Sequence, residues 1–278
     1  MKFKKYLVPA LTLVLFLSCA TNPFTGKQTM AFVSNDQLFA ASFQQYGQFL
    51  SENKVIKGTS QSEMITRVGQ RIAVAAERYL TANGYEGYLK DYAWEYNLVD
   101  DKTVNAWCMP GGKIVFYTGI LPIAQNETGI AIIMGHEVAH ALANHGQQRM
   151  SAAYIQQGLA VVGNVALAND QQTLDIFNQS YGVVSTVGGI LPFSRSHETE
   201  ADQIGIYLAA IAGYDPYEAP KLWERMSANS GGQAPPEFLS THPSNESRIH
   251  NLSQLAPKAA TEAQKFGVST FRQTPNFK

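Results

Sequence analysis

The most apolar stretch of the chain, residues 130–143 (IAIIMGHEVAHALA), is hydrophobic or small on every side except at His136, Glu137 and His140. A helix that is apolar all round is a buried one, so this pattern predicts a central core helix. Asn126 is its expected N-cap, and Glu127 falls in the first turn, where the helix dipole favours a negative charge. Upstream, Ser34-x-x-Gln37 and Ser60-x-x-Glu63 read as capping boxes that open two amphipathic helices. The first runs to about Leu50 with Leu38, Phe39, Phe43, Tyr46 and Phe49 apolar. The second presents Met64, Ile65, Val68, Ile72 and Leu80 and stops at Asn83-Gly84. Alternating aromatic and β-branched residues predict three short strands over 92–99, 103–109 and 113–117, with turns at Asp100-Asp101 and Pro110-Gly111-Gly112.

Beyond the central helix the pattern changes. Residues 150–190 are rich in Ala, Gly, Gln, Asn, Ser and Val, with very little charge. Their apolar runs, 158–168 and 183–191, are too short to cross a bilayer and read as two helical arms of a covering element, a lid or plug. Further helices are expected over 198–212, ending at Gly213, and from Asp215-Pro216 to about Met226. The expected fold is therefore α+β and mainly helical. A small three-stranded sheet packs on the central helix of one domain spanning 19–278, and no repeat or long linker interrupts it.

Composition agrees: 278 residues, 45% hydrophobic and 15% charged, can bury a substantial core. The net charge of −1, with no long basic run after residue 5, argues against nucleic acid as a partner. The N-terminus reads as a targeting segment, residues 1–18. Lys2, Lys4 and Lys5 precede an apolar run over 6–17, and Cys19 follows at once. Phe16-Leu17-Ser18-Cys19 resembles a lipoprotein lipobox with Phe16 in place of the usual leucine. Ser18-Cys19-Ala20 also fits a small-x-small cleavage site. The first reading makes Cys19 a lipidation site and tethers the chain to a membrane. With alanine following, it implies an outer-membrane lipoprotein facing the periplasm. Under either reading Cys108 has no intramolecular partner, so no disulfide framework is expected.

The chemistry lies in the central helix. Positions i and i+4 share a helix face, so His136 and His140 can reach one ion, and Glu137 can touch a water there without being a ligand. Buried without partners, these groups would cost roughly 2–7 kcal/mol each; a zinc ion supplies them. A catalytic zinc takes three protein ligands and leaves one position to water. A third histidine six residues after His140 is excluded, since Gly146 stands there. Glu198, with Asp202 one turn later, is the better candidate: Glu198 on the metal, Asp202 on the far nitrogen of a ligand histidine. Glu200 points about 200° away from Glu198 and is a poorer ligand; the plain alternative for the whole segment is an acidic helix start.

The ordered set HEVAH (136–140), SRSHETEAD (194–202), AGYDP (212–216) and THPS (241–244), with Asn105-Ala106-Trp107 and Pro110-Gly111-Gly112-Lys113-Ile114 ahead of it, resembles the gluzincin zinc metallopeptidases of the BepA, LoiP and CAAX prenyl endopeptidase family. The resemblance covers roughly residues 20–255. It implies a zincin-like fold and zinc endopeptidase activity, with Glu137 as base and His136, His140 and Glu198 as ligands. It further implies quality control of misfolded envelope proteins. The membrane spans of some relatives and the helical repeats of the BepA type are missing, which points to a soluble, lipid-anchored branch. A non-catalytic chaperone on the same fold is the rival reading. An aminopeptidase is disfavoured because no G-x-M-E-N motif is present.

In a zinc peptidase, His242 is a candidate donor to the oxyanion, or a displaceable fourth ligand; its alternative is a loop histidine capping the next helix. His145, some 140° round a continuing helix from His140, reads as a structural hydrogen-bonder. His197 and His250 read as surface residues, and Arg248 as either a partner for an acidic group or a solvated arginine. Asn105, Ala106 and Trp107 form a candidate edge strand for an extended polypeptide substrate, with Trp107 lining a pocket or simply buried.

Overall fold

The computed structural model describes residues 19–168, 170–173, 175, 191–229, 237–243 and 246–277. The expected targeting segment and the second arm, 183–191, lie outside them except for Leu191. A two-stranded hairpin, β1 (Cys19–Thr21) with β2 (Gln28–Met30), opens the described chain, and Cys19 pairs with Met30 as its first residue. Helix α1 (Asn35–Glu52) is capped by Ser34, whose side chain accepts from the Gln37 amide, as the capping box requires. Helix α2 (Ser60–Ala82) is capped one residue earlier than expected, by Thr59 and Ser62 bonding each other's backbone.

The sheet has four strands rather than three, because the two-residue β3 (Val55–Ile56) adds to one edge. Strands β4 (Glu95–Val99), β5 (Ala106–Met109) and β6 (Lys113–Tyr117) follow, in the spatial order β3-β4-β6-β5. β4 and β6 run parallel and β5 antiparallel to β6, which leaves β5 as an edge. The first two expected strands start later than the alternation suggests, and the third keeps its expected range. Trp94 precedes β4 and packs on Gly112 at the turn, where φ is +87° and a Cβ would meet the indole at 2.6 Å.

After a 3-10 turn and the short α3 (Leu121–Ala124), the central helix α4 (Glu127–Leu142) is buried from Thr128 to Leu142. Asn126 caps it, accepting from the Gly129 amide. Glu127 holds Arg67, Arg71 and the Tyr214 hydroxyl, tying the helix start to α2 and to a loop late in the chain. Burial alone would raise the Glu127 carboxyl, but the Arg67 and Tyr214 hydrogen bonds outweigh it and hold it below the usual range.

Helix α5 (His145–Leu167) is one long helix, starting earlier than the expected arm; Tyr154, Leu159, Val161, Val162 and Val165 along it are exposed. Helix α6 (Leu191–Ile211) begins two turns before the expected start, with Pro192 in its first turn, where a missing N–H costs nothing. Helices α7 (Glu218–Asn229), α8 (Glu237–Thr241) and α9 (Glu246–Lys265) complete the described order. The tail therefore holds a 20-residue helix that continues through Pro257. Among the described residues, no helix is long and apolar enough to cross a membrane.

Helix α6 lies against α4 backbone to backbone. A Cβ on Gly205 would fall 2.7 Å from the His136 nitrogen, and one on Gly135 would fall 2.5 Å from the Gly205 carbonyl oxygen. No side chain there can yield, so this glycine pair sets how near the acidic residues of α6 come to the histidines of α4. Gly205→Ala is expected to destabilise the fold by about 1–3 kcal/mol through overpacking. The same change should weaken metal retention. A denaturant melt and a metal assay on one preparation check both; a stable, metal-replete variant would show that the spacing tolerates a methyl.

Candidate metal centre

Four side chains from three segments converge. His136 and His140 project from one face of α4, with their Nε2 atoms 3.1 Å apart. Glu198 reaches across from α6, placing Oε2 3.4 Å from His136 Nε2 and Oε1 3.3 Å from His140 Nε2. His242, just after α8, brings Nδ1 to 2.9 Å from Glu198 Oε2 and 3.1 Å from His136 Nε2. The amide of Phe238 bonds the Val104 carbonyl, which fixes α8 to the approach of β5.

These atoms all lie within 4.8 Å of one another. Ligand atoms held about 2.0–2.2 Å from one tetrahedral zinc stand roughly 3.3–3.5 Å apart, so the spacing suits a shared ion. The donor set, three imidazoles and one carboxylate, is that of a borderline-soft divalent metal.

Charge is arranged to the same end. Burial pushes the His140 imidazole well below its ordinary value, leaving a neutral lone pair. Burial alone would raise Glu198, yet hydrogen bonds from His136, His140 and His242 hold it far below the carboxylate range. At His136 burial is overcome by Asp202 and Glu198, and the ring is lifted to about 9. Two carboxylates thus favour a positive charge at this point, which a metal cation supplies.

Asp202 occupies its expected place, with Oδ1 3.0 Å from His136 Nδ1. Arg248 is buried and donates to Asp202 Oδ1 at 2.6 Å and to Glu198 Oε2 at 3.2 Å, lying 3.5 Å over the Trp223 ring. The solvated-arginine alternative is thereby excluded. Glu137 is buried beside the histidines, and its Oε1 has no hydrogen-bond partner among the described residues. Near it stands His242, whose Nε2 lies 3.6 Å away. Burial raises the Glu137 carboxyl, against the pull of His242 and His136, moving it toward the range of a general base. An orphaned carboxylate oxygen at the mouth of a ligand cluster is what a water-activating base needs.

The sequence profile of peptidase family M48 matches residues 59–256. The chain belongs to this family. Its metallopeptidases use zinc, and His136, His140 and Glu198 form the cluster able to bind it. The M48 chain is 40% identical over 176 residues to the mitochondrial metalloendopeptidase OMA1 of Saccharomyces cerevisiae, covering 60% of this chain and 48% of that protein. It is 37% identical over 178 residues to the protein of that name from Schizosaccharomyces pombe, covering 63% and 50%. To the beta-barrel assembly-enhancing protease of Yersinia pestis it is 25% identical over 261 residues, covering 90% and 51%. The chain spans about half the length of these relatives.

These relatives correct the expected location. The periplasmic, outer-membrane lipoprotein reading, with Cys19 as lipidation site, is overturned: the higher identities are to mitochondrial proteins, and the beta-barrel assembly-enhancing proteases align at lower identity. Lysines followed by a short apolar run are a generic export pattern and do not name a membrane.

Around the M48 cluster, three buried residues carry more than their local sequence suggests. His197, expected at the surface, is buried; it stacks on His145 at 4.0 Å with rings 12° apart, and its Nε2 lies 3.1 Å from Gln148 Oε1. Burial lowers its imidazole to about 3, so it packs as a neutral ring. His145 is a structural hydrogen-bonder as expected, but not from a continuing helix. Helix α4 ends at Leu142, Asn144 turns the chain in the left-handed region (φ 56°), and His145 opens α5 facing back at His140. Its Nδ1 is 2.9 Å from His140 Nδ1, and its Nε2 is 3.1 Å from Glu200 Oε2. Glu200 is no acidic helix start, because α6 already begins at Leu191. The proline at position 192 is the local signal that marks this earlier start. His250 is exposed, as expected.

A cleft of about 690 Å³ opens over the cluster, lined among others by Asn105, Ala106, Glu137, His140, Arg149 and His242. Edge strand β5 forms one wall. Trp107 reaches its rim, but the ring packs edge-on against Tyr46 and Phe49 and donates to the Tyr117 hydroxyl, so it chiefly anchors β5 to α1.

Proposed function

We propose that this M48 chain is a zinc-dependent endopeptidase that cleaves extended, misfolded or unassembled polypeptides. The observation that carries this reading is the shared cleft: an edge strand, a metal-ligand cluster and a buried carboxylate whose Oε1 has no hydrogen-bond partner among the described residues face one another. An extended peptide adding to β5 uses main-chain hydrogen bonds, which bind without regard to side chain and suit unfolded segments. A bound zinc would supply Lewis-acid activation of water and of the scissile carbonyl.

The rest falls to the chain's own groups. His136, His140 and Glu198 would hold the ion, and Asp202 accepts from His136 Nδ1–H, fixing that ring. Glu137 Oε1 takes the proton released as water attacks, then passes it to the leaving amine nitrogen. His242 is the most exposed of the three clustered imidazoles, with a side chain 13% accessible against 3% for His136. It faces Glu137 across the cleft, with Nε2 3.6 Å from Oε1, where its N–H would meet the scissile carbonyl oxygen as charge develops there.

His242→Ala should therefore keep its zinc and lose about 10²-fold in kcat; unchanged turnover would remove His242 from the reaction. The reading as a whole is tested by casein cleavage. A chelator should abolish it and stoichiometric zinc restore it. Cleavage that survives complete metal removal would overturn the zinc mechanism. A zinc-loaded chain that binds unfolded casein without cutting it would replace the peptidase with a chaperone.

A further inference from the structure

We propose that His145 and Glu200 form a positioning relay, anchored by the N-terminal β1–β2 hairpin, that fixes the tautomer and ring orientation of His140. The inference rests on the zinc reading above and extends it to residues that touch neither metal nor substrate. If His140 presents Nε2 to the ion, its remaining proton sits on Nδ1 and is donated to His145 Nδ1, 2.9 Å away. His145 must then carry its own proton on Nε2, which it donates to Glu200 Oε2 at 3.1 Å. Glu200 Oε1 in turn accepts from Thr25 Oγ1 at 2.6 Å and from Asn22 Nδ2 at 3.0 Å, with Lys27 3.8 Å away.

One proton arrangement satisfies every link, and it runs in a single direction from the metal ligand to the carboxylate that the hairpin holds. His145 is fully buried, and Glu200 and Asn22 nearly so, so breaking any link strands a polar group away from water. The stacked His197 ring, held by Gln148, keeps the His145 imidazole from turning.

The two ligand histidines are thus supported differently. His136 meets its carboxylate directly at Asp202, whereas His140 meets Glu200 only through a second imidazole. Asn22 and Thr25 also lie outside the 59–256 stretch that matches the family profile. The hairpin therefore acts on the metal centre from beyond the matched region, through Glu200.

Glutamine can stand in for this histidine, since its Oε1 can accept from His140 Nδ1–H while its Nε2 donates to Glu200. Leucine can do neither. Zinc release into a chromophoric chelator and the visible spectrum of the cobalt(II)-substituted chain are read for wild type, His145→Leu, His145→Gln and the Asn22→Ala/Thr25→Ala pair. His145→Leu is expected to release zinc about 10–100-fold faster and to alter the cobalt bands. His145→Gln should stay within about threefold of wild type and keep its spectrum, as a relay with the same donor and acceptor predicts. The hairpin pair should release zinc severalfold faster than wild type. The relay is overturned if His145→Gln behaves like His145→Leu, or if the hairpin pair releases zinc at the wild-type rate. The latter decides even where His145→Leu does not fold. A wild-type chain that retains no zinc would instead overturn the metal reading itself.

Discussion

Glu137→Gln is expected to lower kcat on casein by about 10²–10⁴-fold, the range for loss of a general base, while the zinc content and melting temperature hold. The two expectations come from the same observation. Glu137 Oε1 has no hydrogen-bond partner among the described residues, so the amide breaks no bond to that oxygen on replacing it. A buried neutral amide also costs less than a buried carboxylate, so stability should hold or rise slightly. What the amide cannot do is accept a proton from water. The measurement pairs initial rates with atomic absorption and a thermal melt on the same sample. A variant that loses zinc together with activity would mean that Glu137 organises the site, and a variant that cleaves normally would end its role as base.

The second large effect belongs to Glu198. Glu198→Ala removes the only carboxylate among the four clustered groups and the acceptor on which His136, His140 and His242 all converge. Loss of an outer-shell partner weakens metal binding by about 10–100-fold, so loss of this ligand should exceed that range. Zinc affinity by competition with a chelating dye reads the change directly. Unlike Glu137→Gln, this variant should also lose stability, because the buried Arg248 guanidinium bridges Glu198 and Asp202 and would lose one of those two carboxylates. Near wild-type affinity would shift the third ligand elsewhere, with His242 the next group in the cluster.

Legibility in the sequence follows the range of the interactions. Periodicity within one helix places His136, Glu137 and His140 on a buried segment, because all three relations lie within two turns. Asn126 and Ser34 are readable as caps for the same reason. The pairing of Glu198 with Asp202 is also legible, since their one-turn spacing sets which can reach an ion and which can reach a ring. The start of α6 is not: the acidic run looks like a first turn, and Pro192, two turns earlier, is the weaker signal that proves right. His145 is half legible. Counting 140° along a continuing helix correctly excludes it from the metal but misplaces the ring, because the left-handed turn at Asn144 breaks the helix first. For His197, Glu200 and Arg248 the local pattern says little, since a residue's burial depends on elements far away in the chain. Strand β3 is two residues long, too short for any alternation to show.

The metal, the class of fold and the family motifs were readable from the chain alone, because each motif is written in spacings shorter than one element. Packing in three dimensions settled what remained: that Gly135 and Gly205 bring α6 against α4, that His242 and Arg248 return from late in the chain to the cluster, and that Asn22 and Thr25 reach Glu200. Separation along the chain is the cause. The hydrogen bond from Asn22 to Glu200 joins residues 178 apart, and that from Arg248 to Asp202 joins residues 46 apart, distances at which no helical or strand period carries information. Local pattern chose which groups could act, and packing chose which of them meet.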